Sequence, residues 1–463
     1  MKKILACLLA LAMLLASCGD GNGDTVTTDP DSHTHTPSTD HDPEVDTTNY
    51  RARVEELFAD VTTTPQSEFQ YEVANGGITL LSYTGNRTEV RVPDKIGLLS
   101  VKKIADGAFK NNQTLKTLIL PDTLTELGVG ILEGCNALTA LHTPMISATA
   151  DGTQSLGYLF NTVNGRIPVS LAYVSLGNAA ETVSARAFAE CGRLVAVILD
   201  QRITSVGDFA FHGCDYLKYV NMERLSTVGD YAFAACKVLV RADLTERTVS
   251  IGLGAFQGCA ALSSMTLPFV GRTQTEKTYL GYLFGAEAPD FTAGFIPAYL
   301  RTVKLLDTCT ALGNYAFYEC SSLQTVTLPK NLQVIGVRAF EKCTALTAIM
   351  LPNSVNAIRE NAFFGCTALK TVTLGTGLSV IGINAFYGCT ALKAIELPAS
   401  LSALSASAFA GCTALESVAL GGVTTVGKNA FYGCEAIKNV TTANVVVLAE
   451  GNVPVQKILY PEE

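Results

Sequence analysis

Cysteine offers the most chemistry in this sequence. Fourteen are present, and eleven share one phase, each three residues after a Phe or Leu: Cys135, Cys191, Cys214, Cys236, Cys259, Cys320, Cys343, Cys366, Cys389, Cys412 and Cys434. Such a row can form disulfides, bind metal as thiolates or stay buried as thiols. Strands stacked ~4.8 Å apart bring Cα atoms into the disulfide window. In a parallel stack the Cβ atoms stay near that same spacing, above the ~3.8 Å mean of a bridge. A free Cys packs well as a small hydrophobe, so the phase predicts a buried thiol ladder, with scattered disulfides as the alternative and metal binding last. Cys309 lies outside the phase.

Other reactive groups are sparse. His33, His35 and His41 sit among acids in a stretch without large apolar residues, and their spacing matches no closed metal site. His142 and His212 are the remaining imidazoles, in unrelated phases of the repeat. The sequence contains no His-Glu-x-x-His, no Gly-x-Ser-x-Gly and no phosphate loop. Glu276, Glu287 and Asp290 share one insertion, the grouping open to a paired-carboxylate hydrolase, although charged loop residues are usually just solvated. No catalytic, metal-binding or cofactor-binding residue is assigned, and the chain reads as not an enzyme.

The elements that must position these cysteines are written out by the repeat. Phe317, Phe340, Phe363, Phe386, Phe409 and Phe431 follow one another at 23, 23, 23, 23 and 22 residues, each preceded by Ala. After each Cys come Leu, an apolar residue and Leu, as in Leu346, Ile349 and Leu351. A period in the twenties with Leu-x-x-Leu-x-Leu spacing predicts a β-rich leucine-rich-repeat solenoid. Going backward, Phe256, Phe233, Phe211, Phe188, Leu132 and Phe109 continue the phase, giving about twelve repeats of 22–23 residues; Asn112 holds the first Cys place. One repeat cannot bury enough apolar surface to offset its backbone entropy, so stacking must supply the core. Outward strand positions are small and mostly uncharged: Thr325 and Thr327, Ala348 and Met350, Thr371 and Thr373, Ala394 and Glu396, Ser417 and Ala419.

Two interruptions break the period. The steps from Leu132 to Phe188 and from Phe256 to Phe317 are 56 and 61 residues, and both contain Leu-Gly-Tyr-Leu-Phe, at 156–160 and 280–284. The copies lie 124 residues apart, which marks duplication of a larger unit. Insertions near 143–183 and 269–311 are expected as loops on one face. They concentrate Tyr and Phe, which are enriched in binding hot spots. Phe269, Tyr279, Phe291 and Phe295 are the candidate partner-binding residues; Tyr158, Phe160, Tyr282 and Phe284 are expected to pack the insertions down.

Residues 1–18 read as an export signal, with Lys2 and Lys3 before an apolar run too short to span a bilayer. Leu15-Ala16-Ser17-Cys18 resembles the bacterial lipobox, which implies lipidation of Cys18 and a membrane anchor. Residues 19–48 hold eight acids and no Lys or Arg and are expected to be a disordered tether. In 49–107, Tyr50, Val54, Leu57, Phe58 and Val61 predict a helix docked on the first turn, and strands follow near Phe69, Ile78 and Glu89. The solenoid is expected over 108–444. A C-terminal cap follows over 445–463, where Val445 to Leu448 and Lys457 to Tyr460 cover the far edge. The formal charge is -9, but 49–463 carries 31 basic and 34 acidic residues. A near-neutral body without basic runs excludes nucleic acid as a partner.

The Ala-Phe-x-x-Cys, Leu-x-x-Val-x-Leu-Pro and Ile-Gly blocks, with the duplicated Leu-Gly-Tyr-Leu-Phe, resemble BspA-like leucine-rich repeat proteins of bacterial surfaces, over roughly residues 69–445. The resemblance implies a right-handed solenoid displayed at the cell surface. It further implies adhesion through a protein partner on host or neighbouring cells. An assembly scaffold for an envelope or glycan-uptake complex is the alternative.

Overall fold

The computed structural model describes residues 47–162, 166–276 and 278–461. The expected export signal, Cys18 and nearly all of the expected tether lie outside them. Asp46–Glu463 forms one compact unit, a parallel β-solenoid of about 16 turns. A regular turn lays down a strand of two to four residues on one face and a two-residue strand on the other. On the first face Glu89–Arg91, Thr117–Ile119, Ala140–Thr143, Tyr173–Leu176, Ala196–Leu199 and Tyr219–Val220 form one parallel sheet. Further strands of this face continue to Asn439–Thr441. Register keeps equivalent residues side by side: Ile349 pairs with Val372, and Ile395 with Val418. The middle residue of each is buried while its neighbours point outward, as alternation along a strand requires.

The Ala-Phe pair sits in a tight turn between the two faces, and the turn explains the repeat's spacing. The residue before Ala and the residue before Cys both take the left-handed conformation: Arg338 and Lys342, Asn384 and Gly388, Asn429 and Gly433. These two reversals aim Phe inward, and the rings stack. Phe340, Phe363, Phe386 and Phe409 follow at 5.0 Å between centroids with planes within 4°. All of these rings are fully buried, each side chain contributing about 1.5–3 kcal/mol of transfer free energy.

Each insertion carries an additional turn of the solenoid rather than only a loop. In a regular turn the Phe340 amide bonds the Ala362 carbonyl of the next turn; in the same way Leu132 bonds Leu159 and Phe256 bonds Leu283. Leu-Phe of each Leu-Gly-Tyr-Leu-Phe thus fills the Ala-Phe place of an additional turn, with Phe160 and Phe284 buried in the core. Twelve Phe-phased repeats become about 16 turns because these two, and the turns of the N- and C-terminal caps, do not carry the motif.

The N-terminal helix α1 (Thr47–Ala59) is tied at its end to the first turn, but its apolar face packs further along the solenoid. It begins two residues inside the expected tether and crosses the outer face of the six-stranded sheet, where Val54 packs on Ala196 and Ile198 beside Tyr50, Phe58, Tyr173 and Tyr219. Arg91 donates to the carbonyls of Phe58 and Val61, both at 2.6 Å, satisfying orphan groups at the helix end with a cation that also suits the dipole. An antiparallel hairpin of Phe69–Ala74 and Gly77–Tyr83 covers the first edge. At the far end Val447–Leu448 is a strand, but the last segment is a helix, α2 (Val453–Leu459), which seals the core with Pro454 and Val455.

Candidate binding site

The cysteine row is a thiol ladder. All twelve described cysteines are free and buried. Each regular thiol donates to the carbonyl of the Phe one turn back, at 3.0 Å for Cys343 to Phe317 and Cys366 to Phe340. That carbonyl already accepts the amide of its own turn's Cys, so the thiol is a weak second donor in a space too small for a longer side chain. Cys320, the first after the second long turn, bonds Tyr318 instead, at 3.8 Å. Burial pushes most of these thiols up, to about 12 at Cys191, Cys259 and Cys389, which keeps them protonated and unreactive; Cys434, at the end of the row, is instead lowered by its hydrogen bond with Cys412.

His142 is brought into company that the sequence did not reveal. It faces outward on Ala140–Thr143, in register with Ser175, whose hydroxyl lies 3.0 Å from Nδ1. Asp122 lies 3.6 Å from Nε2, its carboxyl held below the usual range, first by the His142 ring. The Asp contact is too long for the hydrogen bond that orients a catalytic imidazole. Phe58 of α1 packs edge-on against the ring at 6.1 Å. The cluster is a cross-strand polar contact at the helix footing.

The aromatic candidates separate cleanly. Phe269 and Tyr279 are core residues, so they do not face a partner. Tyr279 also donates to the Ala286 carbonyl at 3.2 Å. Phe291 stands on a short 3₁₀ segment, Pro289–Gly294, and Phe295 caps its C-terminal end; the segment follows the buried Phe284. That segment is clamped: Thr292 is fully buried and occupies the space where a Cβ on Gly281 would meet its Oγ1 at 2.5 Å. The second Leu-Gly-Tyr-Leu-Phe therefore needs its Gly to seat the segment. Phe291 is left 67% exposed, with Phe295 and Tyr299 also exposed. Glu287 and Asp290 rim the patch, and 278–300 carries no Lys or Arg. Glu276 instead pairs with Arg272. The three carboxylates named from sequence thus serve a surface rim and an ion pair.

A second aromatic row escaped the sequence reading because it occupies a position treated as variable. The residue after the ladder Phe is Phe364, Tyr387, Ala410 and Tyr432 in the last turns; Tyr387 and Tyr432 are exposed and Ala410 is buried. Phe364 and Tyr387 stack at 4.9 Å and 6°.

Comparison with known proteins places these features. The family model described as the BspA type leucine-rich repeat region matches residues 80–175, 166–274, 295–416 and 335–450, more than half of the chain. Among solved structures, a leucine-rich repeat protein from Bacteroides ovatus is 23% identical, with 82% of this chain and 94% of that chain covered and a TM-score of 0.40. A leucine-rich cell surface protein from Faecalibacterium prausnitzii is 21% identical, covering 87% of this chain and 98% of that chain, with a TM-score of 0.27. The T. pallidum leucine-rich repeat protein is 16% identical, over 87% and 97% of the two chains, with a TM-score of 0.21. No curated protein matches.

Proposed function

The chain belongs to the BspA-type leucine-rich repeat family, and from that premise we propose that it is an exported, Cys18-anchored binding protein that contacts a protein partner through the Phe291 and Phe295 patch. The observation that carries this reading is the clamped 3₁₀ segment. Thr292 is buried and bonded, yet Phe291 stands mostly in solvent, with Phe295 and Tyr299 partly exposed beside it. Rigid exposed aromatics make large contacts at low entropy cost. The acidic rim selects a partner with an apolar pocket bordered by basic side chains, and adhesion to host matrix proteins or to neighbouring cells fits that requirement.

The test is retention on immobilised host matrix proteins set against the organism's own envelope fraction. Replacement of Phe291 and Phe295 by Ala is expected to weaken matrix retention more than tenfold with an unchanged melting temperature. Membrane pelleting should be lost only in Cys18→Ala. Retention confined to the envelope fraction would favour an assembly scaffold instead. Loss of binding from Thr371→Glu or Thr373→Glu, with the Phe variant unaffected, would move the site to the strand face.

A further inference from the structure

The hairpin that covers the solenoid's first edge has an open edge of its own. Among the described residues, strand Phe69–Ala74 pairs only with Gly77–Tyr83. Asn75 and Gly76, both at positive φ, form the two-residue turn between them, a turn that makes Ala74 and Gly77 a hydrogen-bonded pair. Alternation from that pair turns the amides and carbonyls of Tyr71 and Val73 away from the hairpin, toward solvent. Two apolar rows run off the same end. Ile104, Leu80 and Tyr71 lie side by side on the core face, as do Val101, Ile78 and Val73. The first two members of each row are buried in the core, yet Tyr71 is 41% exposed and Val73 65%. The devices that usually blunt such an edge are missing. The strand holds no Lys or Pro, and the extra residue at its register shift, Leu81, belongs to the other strand.

From this geometry we infer that Phe69–Ala74 is a homodimerisation edge, which pairs antiparallel with the same strand of a second copy about a twofold axis at Tyr71. Residues with outward amides must face one another, so few registers are open. Centring on Glu72 or on Gln70 sets Glu72 opposite Glu72 or Glu68 of the second copy, and like charges directly opposite are destabilising. Centring on Val73 sets Tyr71 against the turn at Asn75. Centring on Tyr71 joins Tyr71 to Tyr71 and Val73 to Phe69 on the core face, and Gln70 to Glu72 on the other. That polar pair is matched. Gln70 Oε1 already accepts from the Ser82 hydroxyl at 3.0 Å, which leaves Nε2 to donate, and the exposed Glu72 carboxylate has no partner among the described residues. The second copy thus extends the sheet, covers Tyr71 and Val73 and joins two solenoids at their N-terminal ends. This interface is separate from the Phe291 patch and stands or falls independently of it.

Sedimentation velocity and amide hydrogen exchange on the full chain, across the micromolar range, test the pairing. A reversible monomer–dimer equilibrium is expected, with the Tyr71 and Val73 amides gaining protection as concentration rises. Tyr71→Lys places two like charges at the axis and should weaken the dimer roughly tenfold with an unchanged melting temperature. Gln70→Glu keeps the acceptor for Ser82 but faces the Glu72 carboxylate, so it should also weaken the dimer. Adding Glu72→Gln exchanges the two partners and should restore it, a readout that survives even if Tyr71→Lys unfolds the hairpin. A dimer indifferent to Gln70→Glu, a loss that Glu72→Gln does not restore, or a chain that stays monomeric throughout, its edge left to the strand of an unrelated protein, would each overturn the inference.

Discussion

At the scale of single residues, the cysteines show how a reactive side chain is used for packing. Each thiol is small enough for the space beside the ring ladder and supplies a second donor to a buried carbonyl. Two consequences can be measured. The cysteines described here should resist alkylation until the chain is denatured, and reductant should leave the melting temperature unchanged; a large drop with reductant would show bridges holding the stack. The second concerns alkaline pH. Folding raises the Cys366 thiol well above its ordinary value, mainly by desolvation. Above about pH 8.5, the unperturbed thiol value, the unfolded chain therefore loses protons that the folded chain keeps. Stability must fall as pH rises through that window. Urea midpoints measured from pH 8 to 11 should decline, and less steeply for Cys366→Ala than for the wild type. Identical slopes would contradict the assigned burial effect.

At the scale of elements, the repeat was legible because its period, its inward Leu and Ile and its Ala-Phe-x-x-Cys block each recur in register. The insertions were misread for a physical reason. Leu159 and Leu283 replace the Ala that marks the turn, so the pattern breaks while the hydrogen bonds continue across it. The footing of α1 was also illegible, because an amphipathic spacing fixes which helix face is buried but not which strands receive it. Likewise Phe269 and Tyr279 share an aromatic-rich insertion with Phe291 and Phe295, and only the backbone path decides which rings meet solvent. The docking of α1 can be tested by itself. Val54→Asp places a charge against Ala196 and Ile198, a burial costly enough to release the helix. The helix amides should lose hydrogen-exchange protection while the strands from Arg241 onward keep theirs. Global unfolding in this variant would show that α1 is part of the cooperative core.

At the scale of the whole molecule, stability is a chain of nearest-neighbour terms, since each turn touches mainly the turns beside it. A lesion should therefore act by its position as well as its size. Phe363 stacks on Phe340 and Phe386 at 5.0 Å on either side, so Phe363→Ala removes both contacts and opens a cavity in mid-stack, at a cost of about 3–5 kcal/mol. Unfolding should then lose its single transition, because two blocks of turns remain joined by a weak interface. Val455 is as fully buried as Phe363, yet it packs at the end of the stack, where only the last turns depend on it. Val455→Asp should expose amides in 439–448 while leaving those in 348–373 protected, and the main transition should keep its midpoint. The same exchange profile distinguishes the alternative: equal loss of protection along the chain in both variants would mean that the solenoid folds as one indivisible unit. In that case a lesion at the C-terminal end would be felt as far away as the Phe291 segment.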